Sequence, residues 1–416
     1  MIVARYAGLE PPTELVTELG LGGVIVMGDN VDSPAHVATA IDAMQAAAAR
    51  PYPLFIGVDQ EGGSVARIKA PATEFPAYMT LGAARDPELA TQVAFASGEE
   101  LRALGFTAVF APVADVTIGP DDPTIGSRSA SSDPTTVAEM VTASVQGYAQ
   151  AGILAVTKHF PGHGSVPADS HEELPVQDAG RSELSARDFV PFRAAVAAGA
   201  SAVMVAHIDV LAFDPGVPSS LSPTVIGVLR NDLGFDGLVV TDAQDMAAIT
   251  EDYGVATAAV RALAAGADVL LMPLDARAAH AAIVAAVADG TLPDQRLAEA
   301  ATRGIALMLH QSDESAAPEI SVVGSHEQLS YDASLAGMTQ VSGECSARLV
   351  GDSIRMTGGS ETDRSRLQAA AEAAGLGVGS GDLVHLLSGP DPGLGDVVVA
   401  LDTPYPLGRS ESTTAR

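Results

Sequence analysis

The chain has 416 residues, 47% of them hydrophobic, and carries 22 basic against 52 acidic side chains for a formal net charge of −30. That charge repels phosphate backbones and anionic bilayers, which excludes nucleic acid and membrane surfaces as partners. No stretch reaches the roughly eighteen apolar residues of a membrane span, and a single cysteine, Cys345, excludes an internal disulfide framework.

Short apolar runs alternate with Ala-rich helical patterns from the start to about residue 310. Strand-like runs occur at 2–6, 23–27, 54–58, 108–112, 154–157, 202–206, 238–241 and 268–272. Helical patterns lie between them at 35–49, 87–104, 135–151, 186–198, 223–233, 254–265 and 276–288, and 294–310 closes the series. Strands that are apolar throughout are covered on both faces. Eight such units predict an α/β fold, a (β/α)8 barrel over 1–310. Polar residues at 311–318 open a stretch read as linker over 311–346, and 347–416 predicts a short, incomplete second α/β domain. The first residues lack the basic region, apolar core and cleavage site of a signal peptide, so a cytoplasmic location is expected of the chain as given. Export goes with a start further upstream.

Barrels of this kind place their sites at the carboxyl ends of the strands. The polar residues closing the strands are Asp59, Asp115, Lys158 with His159, His207 and Asp242. The densest segment is Lys158-His159-Phe160-Pro161-Gly162-His163-Gly164, followed by Asp169-Ser170-His171. It holds three of the chain's nine histidines. Pro161, Gly162 and Gly164 forbid a regular helix, so these groups sit on a loop. Three readings are open: a polar loop satisfying its own backbone, a loop-borne metal site from His159, His163 and His171, or an Asp169–His171 acid/base pair in which the carboxylate fixes the imidazole tautomer.

The Lys-His-Phe-Pro-Gly-His-Gly run with its Asp-Ser-His resembles the β-N-acetylglucosaminidase branch of glycoside hydrolase family 3. The resemblance runs from about residue 1 to 310 and more weakly beyond. It implies a carbohydrate substrate and no cofactor or metal. Within it, Asp59 and Arg67 of Asp59-Gln60-Glu61-Gly62-Gly63-Ser64-Val65-Ala66-Arg67 match the Asp and Arg that hold the sugar. Arg128, in the long insert between Asp115 and Pro134, matches a further substrate contact, and Asp242 matches the catalytic nucleophile. The family often has a second Asp after the nucleophile; here Ala243 stands there and Asp245 follows. Leu401-Asp402-Thr403-Pro404-Tyr405 resembles a motif of the family's second domain, and relatives usually extend beyond both ends of this chain.

The resulting expectation is a retaining hydrolase. Asp242 attacks the anomeric carbon, His171 protonates the leaving oxygen and then activates water, and Asp169 orients His171. Lys158, His159 and His207 join Asp59, Arg67 and Arg128 as substrate contacts. The chain contains no Trp, so sugar is held by hydrogen bonds and charge rather than on an indole platform. A neutral imidazole admits phosphate as acceptor, which makes phosphorolysis an alternative outcome. A metal-dependent barrel hydrolase and a non-catalytic sugar-binding protein are the other readings. Cell-wall fragments and chitin oligomers both remain as natural substrates.

Overall fold

The computed structural model describes residues 2–314, 317–340, 349–387 and 395–401, with side chains of 312–314 left aside. The chain divides into two compact units between Gly337 and Met338. The first contains eight parallel strands: β1 (Ile2–Ala4), β2 (Gly23–Val26), β3 (Phe55–Val58), β4 (Ala108–Val109), β5 (Leu154–Phe160), β6 (Ala202–Val205), β7 (Leu238–Thr241) and β8 (Leu270–Leu271). Their order is β7-β6-β5-β4-β3-β2-β1-β8, and a parallel bridge from Val240 to Val269 brings β7 against β8. The sheet therefore closes as the sequence predicts.

Alternation along the strands explains why they read as unbroken apolar runs. Val3, Ile25, Phe55, Val156, Ala202, Met204, Leu238, Val240, Val269 and Leu271 form one buried cluster. Their neighbours Ile2, Ala4, Val24, Val26, Ile56, Val58, Ala155, Val203, Val205, Val239 and Leu270 belong to the other, beneath the helices. Successive residues point to opposite faces, so one set fills the barrel and the other packs against the helical layer. Gly57 belongs to the inward set, and its missing side chain makes room for Phe110. A Cβ there would stand 2.7 Å from Phe110 Cε2.

The ladder between β7 and β8 is thin, and side chains reinforce it. Asp268, just ahead of β8, is fully buried. It accepts from Val239 N at 3.0 Å and from Arg230 Nη2 at 2.7 Å, with Arg296 and Arg303 on its other oxygen.

The helices start where the sequence signals a cap. Asp86, Asp133 and Ser222 precede prolines and accept from backbone N–H groups of the first turns of Pro87–Ala103, Pro134–Gln150 and Pro223–Gly227. Two segments differ from expectation. The helix expected at 186–198 is two helices, Arg181–Ala186 and Phe189–Ala197, broken at Arg187 and the buried Asp188. The helix expected at 223–233 widens after Gly227 into a π turn, Val228–Asp232, closed by Leu233 N bonding Val228 O at 3.1 Å.

The described part of the 311–346 stretch as far as Gly337 belongs to the first unit. The helix Asp294–Glu314 runs past His310, and Gln311 Nε2 donates to Thr107 O at 2.6 Å. A further helix, Glu327–Ala336, buries Ala333. Ahead of it His326 Nδ1 meets the buried Glu100 carboxylate at 3.0 Å, and Glu100 also accepts from Thr73 N. Its polar surface composition conceals these few buried anchors.

The second unit holds a parallel sheet in the order Gly377–Val378, Ser353–Gly358, Asp382–Leu387, Val397–Ala400, with the helix Glu361–Ala373. It is an α/β unit, as the sequence predicts for 347–416. The 402–405 part of the family-like motif and Cys345 lie outside the described residues. No helix among the described residues is long and apolar enough to cross a membrane.

Gly57→Ala should destabilise the first unit by about 1–3 kcal/mol in urea denaturation through overpacking against Phe110. Phe110→Leu in the same chain should recover part of that loss, since residues in contact do not act additively.

Candidate active site

The site is built from loops that leave adjacent strands. After β3, the hairpin Gln60–Gly62 with Val65–Ala66 turns through Gly62 and Gly63, both at positive φ. A Cβ on Gly62 would meet Pro76 O at 2.5 Å, so glycine alone fits the turn. Gln60 fixes the hairpin by accepting from Arg67 N and Ile68 N through Oε1. Asp59 and Glu61 are thereby aimed at β5.

Lys158 receives them. Its Nζ lies 2.7 Å from Asp59 Oδ1 and 2.6 Å from Glu61 Oε1, with the lysine and glutamate side chains each only 3% exposed. Arg128, from the insert after β4, grips Glu61 with both ends of its fork, Nε to Oε2 and Nη2 to Oε1, each at 2.9 Å. Arg67 Nη2 stands 3.8 Å from Asp59 Oδ2, and its buried Nε has no partner among the described residues. Burial would raise the pKa of Glu61, but Arg128 and Lys158 outweigh it and hold the carboxyl well below the usual range. Burial would lower Lys158, and Asp59 with Glu61 outweigh that in turn. Glu61, Lys158 and Arg128 therefore stay charged.

Asp115 lies beneath this cluster, fully buried. Its Oδ2 takes His159 Nδ1 at 2.6 Å and its Oδ1 takes the His163 backbone N–H at 2.6 Å. A carboxylate only accepts, so His159 carries its proton on Nδ1 and turns Nε2 toward Arg128 Nη2, 3.3 Å away.

Asp242 ends β7 and is buried. Its Oδ1 accepts from Ala243 N at 2.8 Å. Burial would raise its pKa; His159, His207 and the Ala243 N–H outweigh burial and keep it below the ordinary value, hence ionised. His207, expected as a substrate contact, offers no free atom. It is 0% exposed, with Nδ1 on Ser220 Oγ at 2.7 Å and Nε2 on Ala243 O at 2.9 Å. It braces the turn behind Asp242.

Asp169 and His171 pair across their loop: Asp169 Oδ1 is 2.7 Å from His171 Nδ1 and 3.0 Å from His171 N. The pairing directs the His171 proton to Nδ1 and leaves Nε2 as the nitrogen that exchanges protons, on a side chain 59% exposed. Partial burial would raise the Asp169 pKa, but the His171 N–H and ring lower it on balance.

The three histidines of the metal reading have different partners: Asp115 for His159, Ser170 for His163, Asp169 for His171. Among the described residues no group of three His, Cys, Asp or Glu side chains stands in a metal-holding arrangement. Glu61 went unassigned in the sequence, although it lies two residues after Asp59. A glutamate beside paired glycines at a strand end, in a chain whose only other lysine besides Lys158 is Lys69, was the available signal.

Residues 8–307 match the family model described as the glycosyl hydrolase family 3 N terminal domain. The chain belongs to glycosyl hydrolase family 3. It is 35% identical to beta-hexosaminidase A of Pseudoalteromonas piscicida over 366 residues, which is 80% of this chain and 61% of that protein. It is 39% identical to beta-hexosaminidase LpqI of Mycobacterium tuberculosis over 62% of this chain and 67% of that one. Among solved structures, a family 3 beta-N-acetylglucosaminidase from Paenibacillus sp. superposes with a TM-score of 0.84 at 35% identity, covering 92% of this chain and 78% of the other.

Behind the loop, Asp188 accepts from Ser165 Oγ at 2.7 Å and from Arg187 Nε at 3.0 Å. Burial raises its pKa from 3.8 to about 6. The folded state thus holds this proton more tightly than the unfolded chain. The stability this confers is complete below pH 3.8 and lost as the pH rises through about 6. Asp188→Asn cannot titrate, so its stability relative to the parent should improve by about 2–3 kcal/mol between pH 4 and pH 7, read from denaturation at each pH. By contrast, Glu61→Gln leaves Lys158 and Arg128 short of a counter-charge and should cost about 3 kcal/mol at pH 7.

Proposed function

We propose that this chain removes terminal β-linked N-acetylglucosamine, or a related N-acetylhexosamine, from glycosides by hydrolysis with net retention. One observation carries the mechanism: a buried carboxylate held ionised at Asp242, and a second, exposed Asp–His pair whose Nε2 is free. Retaining hydrolysis needs a nucleophile that stays charged and a separate group that gives and then takes a proton. Asp242 attacks the anomeric carbon as the glycosidic bond breaks, and His171 Nε2 donates its proton to the departing oxygen. The same nitrogen then takes a proton from water, which displaces Asp242. Asp169 holds the ring and stabilises its cation.

Asp59, Lys158 and Arg128 form the charged floor on which the sugar hydroxyls are held, with His159 beside it. Arg67, part-exposed and held only loosely by Asp59 with Nη2 at 3.8 Å from Oδ2, is placed to donate to a sugar oxygen through its guanidinium end. The beta-hexosaminidase and beta-N-acetylglucosaminidase names of the relatives support an acetamido sugar over glucose.

The test uses aryl N-acetyl-β-glucosaminides, with aryl β-glucosides as control. Parent protein should cleave the first and spare the second. Asp242→Asn should lose at least about a thousandfold in kcat. His171→Ala should lose about 10²–10⁴-fold on poor leaving groups and much less on good ones, which need no protonation. A folded parent inactive on both sugars overturns the reading. An uncharged imidazole does not repel an anion, so the products are also compared with and without phosphate; N-acetylglucosamine 1-phosphate would identify a phosphorylase.

A further inference from the structure

His171 is exposed, yet acid catalysis requires its Nε2 at a fixed distance from the bond that breaks. The Asp169 bond fixes the ring only relative to its own loop. What ties that loop to the nucleophile is the residue between the two partners. Ser170 is 1% exposed, while the residues on either side face solvent to a greater degree. Its Oγ lies 2.9 Å from His163 Nε2 and 3.9 Å from Met246 Sδ. Its carbonyl accepts from Ala248 N at 3.4 Å. Met246 and Ala248 belong to the segment that follows Asp242, Met246 capping the short helix Ala247–Thr250 and Ala248 within it. His163 is pinned through its own backbone N–H to Asp115, the carboxylate that also orients His159.

The hydrogen positions along this path are constrained. His163 Nδ1 is buried with no partner among the described residues. Leaving an acceptor lone pair unpaired there costs less than leaving an N–H. The proton therefore sits on Nε2 and donates to Ser170 Oγ, and the Ser170 hydroxyl is left to donate to Met246 Sδ. Burial, with His159 adding to it, lowers the His163 pKa, which keeps the ring neutral as this arrangement needs. A hydroxyl that accepts from one loop and donates to another cannot be replaced by an apolar group of similar size without releasing both.

We propose that Ser170 is the positioning residue that sets the acid/base pair against the nucleophile, linking the Asp169–His171 loop to His163 on one side and to the segment after Asp242 on the other. This rests on the reading of His171 as acid/base. Ser170 touches no reacting atom in this account; it acts through His171, and its loss therefore weakens proton transfer more than sugar binding.

The experiment measures kcat and KM for Ser170→Ala and parent on aryl N-acetyl-β-glucosaminides with phenyl, 4-nitrophenyl and 2,4-dinitrophenyl leaving groups. The expected result is a kcat/KM loss of at least tenfold on the phenyl glycoside and less than threefold on the dinitrophenyl one. Azide needs no general base, and it should restore turnover of the dinitrophenyl substrate wherever the second step has slowed. An equal loss across the three substrates, or a loss confined to KM, overturns the proposal, because misfolding or weaker binding does not sort substrates by leaving group. Should Ser170→Ala fail to fold, Met246→Leu keeps the volume and removes the sulfur acceptor; a smaller loss in the same order supports the proposal and a flat series overturns it. A parent inactive on every aryl N-acetyl-β-glucosaminide overturns the acid/base reading itself, and a parent that cleaves them while both variants behave like it overturns only the role of Ser170.

Discussion

A buried ammonium organises the mouth of this barrel. Lys158 stands on β5, yet both of its carboxylate partners, Asp59 and Glu61, come from the loop after β3, and Glu61 is gripped in turn by Arg128 from the loop after β4. Two loops that sequence alone leaves free are thus joined by charge to one strand. Taking these groups out of water costs several kcal/mol each, and only good geometry and saturated hydrogen bonding repay it. The bidentate Arg128 contact supplies that saturation. The network is a poor source of net stability and a strong source of position, since no member can leave without stranding an opposite charge.

The two halves of the proposed chemistry differ in burial for a physical reason. Asp242 must be an anion before substrate arrives, so the site surrounds it with imidazoles and a backbone N–H that offset its desolvation. His171 must exchange protons with the leaving group and with water, so it stands in solvent, restrained only by Asp169. A rigid nucleophile and an exposed acid/base demand a coupling between them. The buried hydroxyl of Ser170 reaches both His163 of the signature loop and Met246 after Asp242.

Much of this was legible in the sequence, and the reasons are particular. The eight strands could be read because each alternates between two apolar faces, so every strand is a run such as Leu238-Val239-Val240. The strand-end rule then located Asp59, Asp115, Lys158, His159 and Asp242 by position alone. It could not tell an end residue that faces the cavity from one that faces away: His207 obeys the rule and has both nitrogens engaged behind the site. Glu61 and Ser170 escaped for the opposite reason, because their importance lies in partners far away in sequence. Composition did not reveal that the part of the expected linker around 326–336 packs on the first unit, since a segment can be polar over most of its length and still be held by Ala333 and the Glu100–His326 contact.

The choice of acceptor follows from the same electrostatics. The net charge of −30 disfavours an approaching anion at long range. That field is screened beyond about 8 Å at physiological ionic strength, so it governs encounter more than chemistry. At the mouth itself the balance is local. Lys158 and Arg128 are already committed to Glu61 and Asp59, whereas Arg67 is held only loosely, 3.8 Å from Asp59. Sugar hydroxyls and a phosphate oxygen would compete for that guanidinium. A neutral acceptor such as water needs no cation to enter, whereas phosphate needs one that the sugar has not taken.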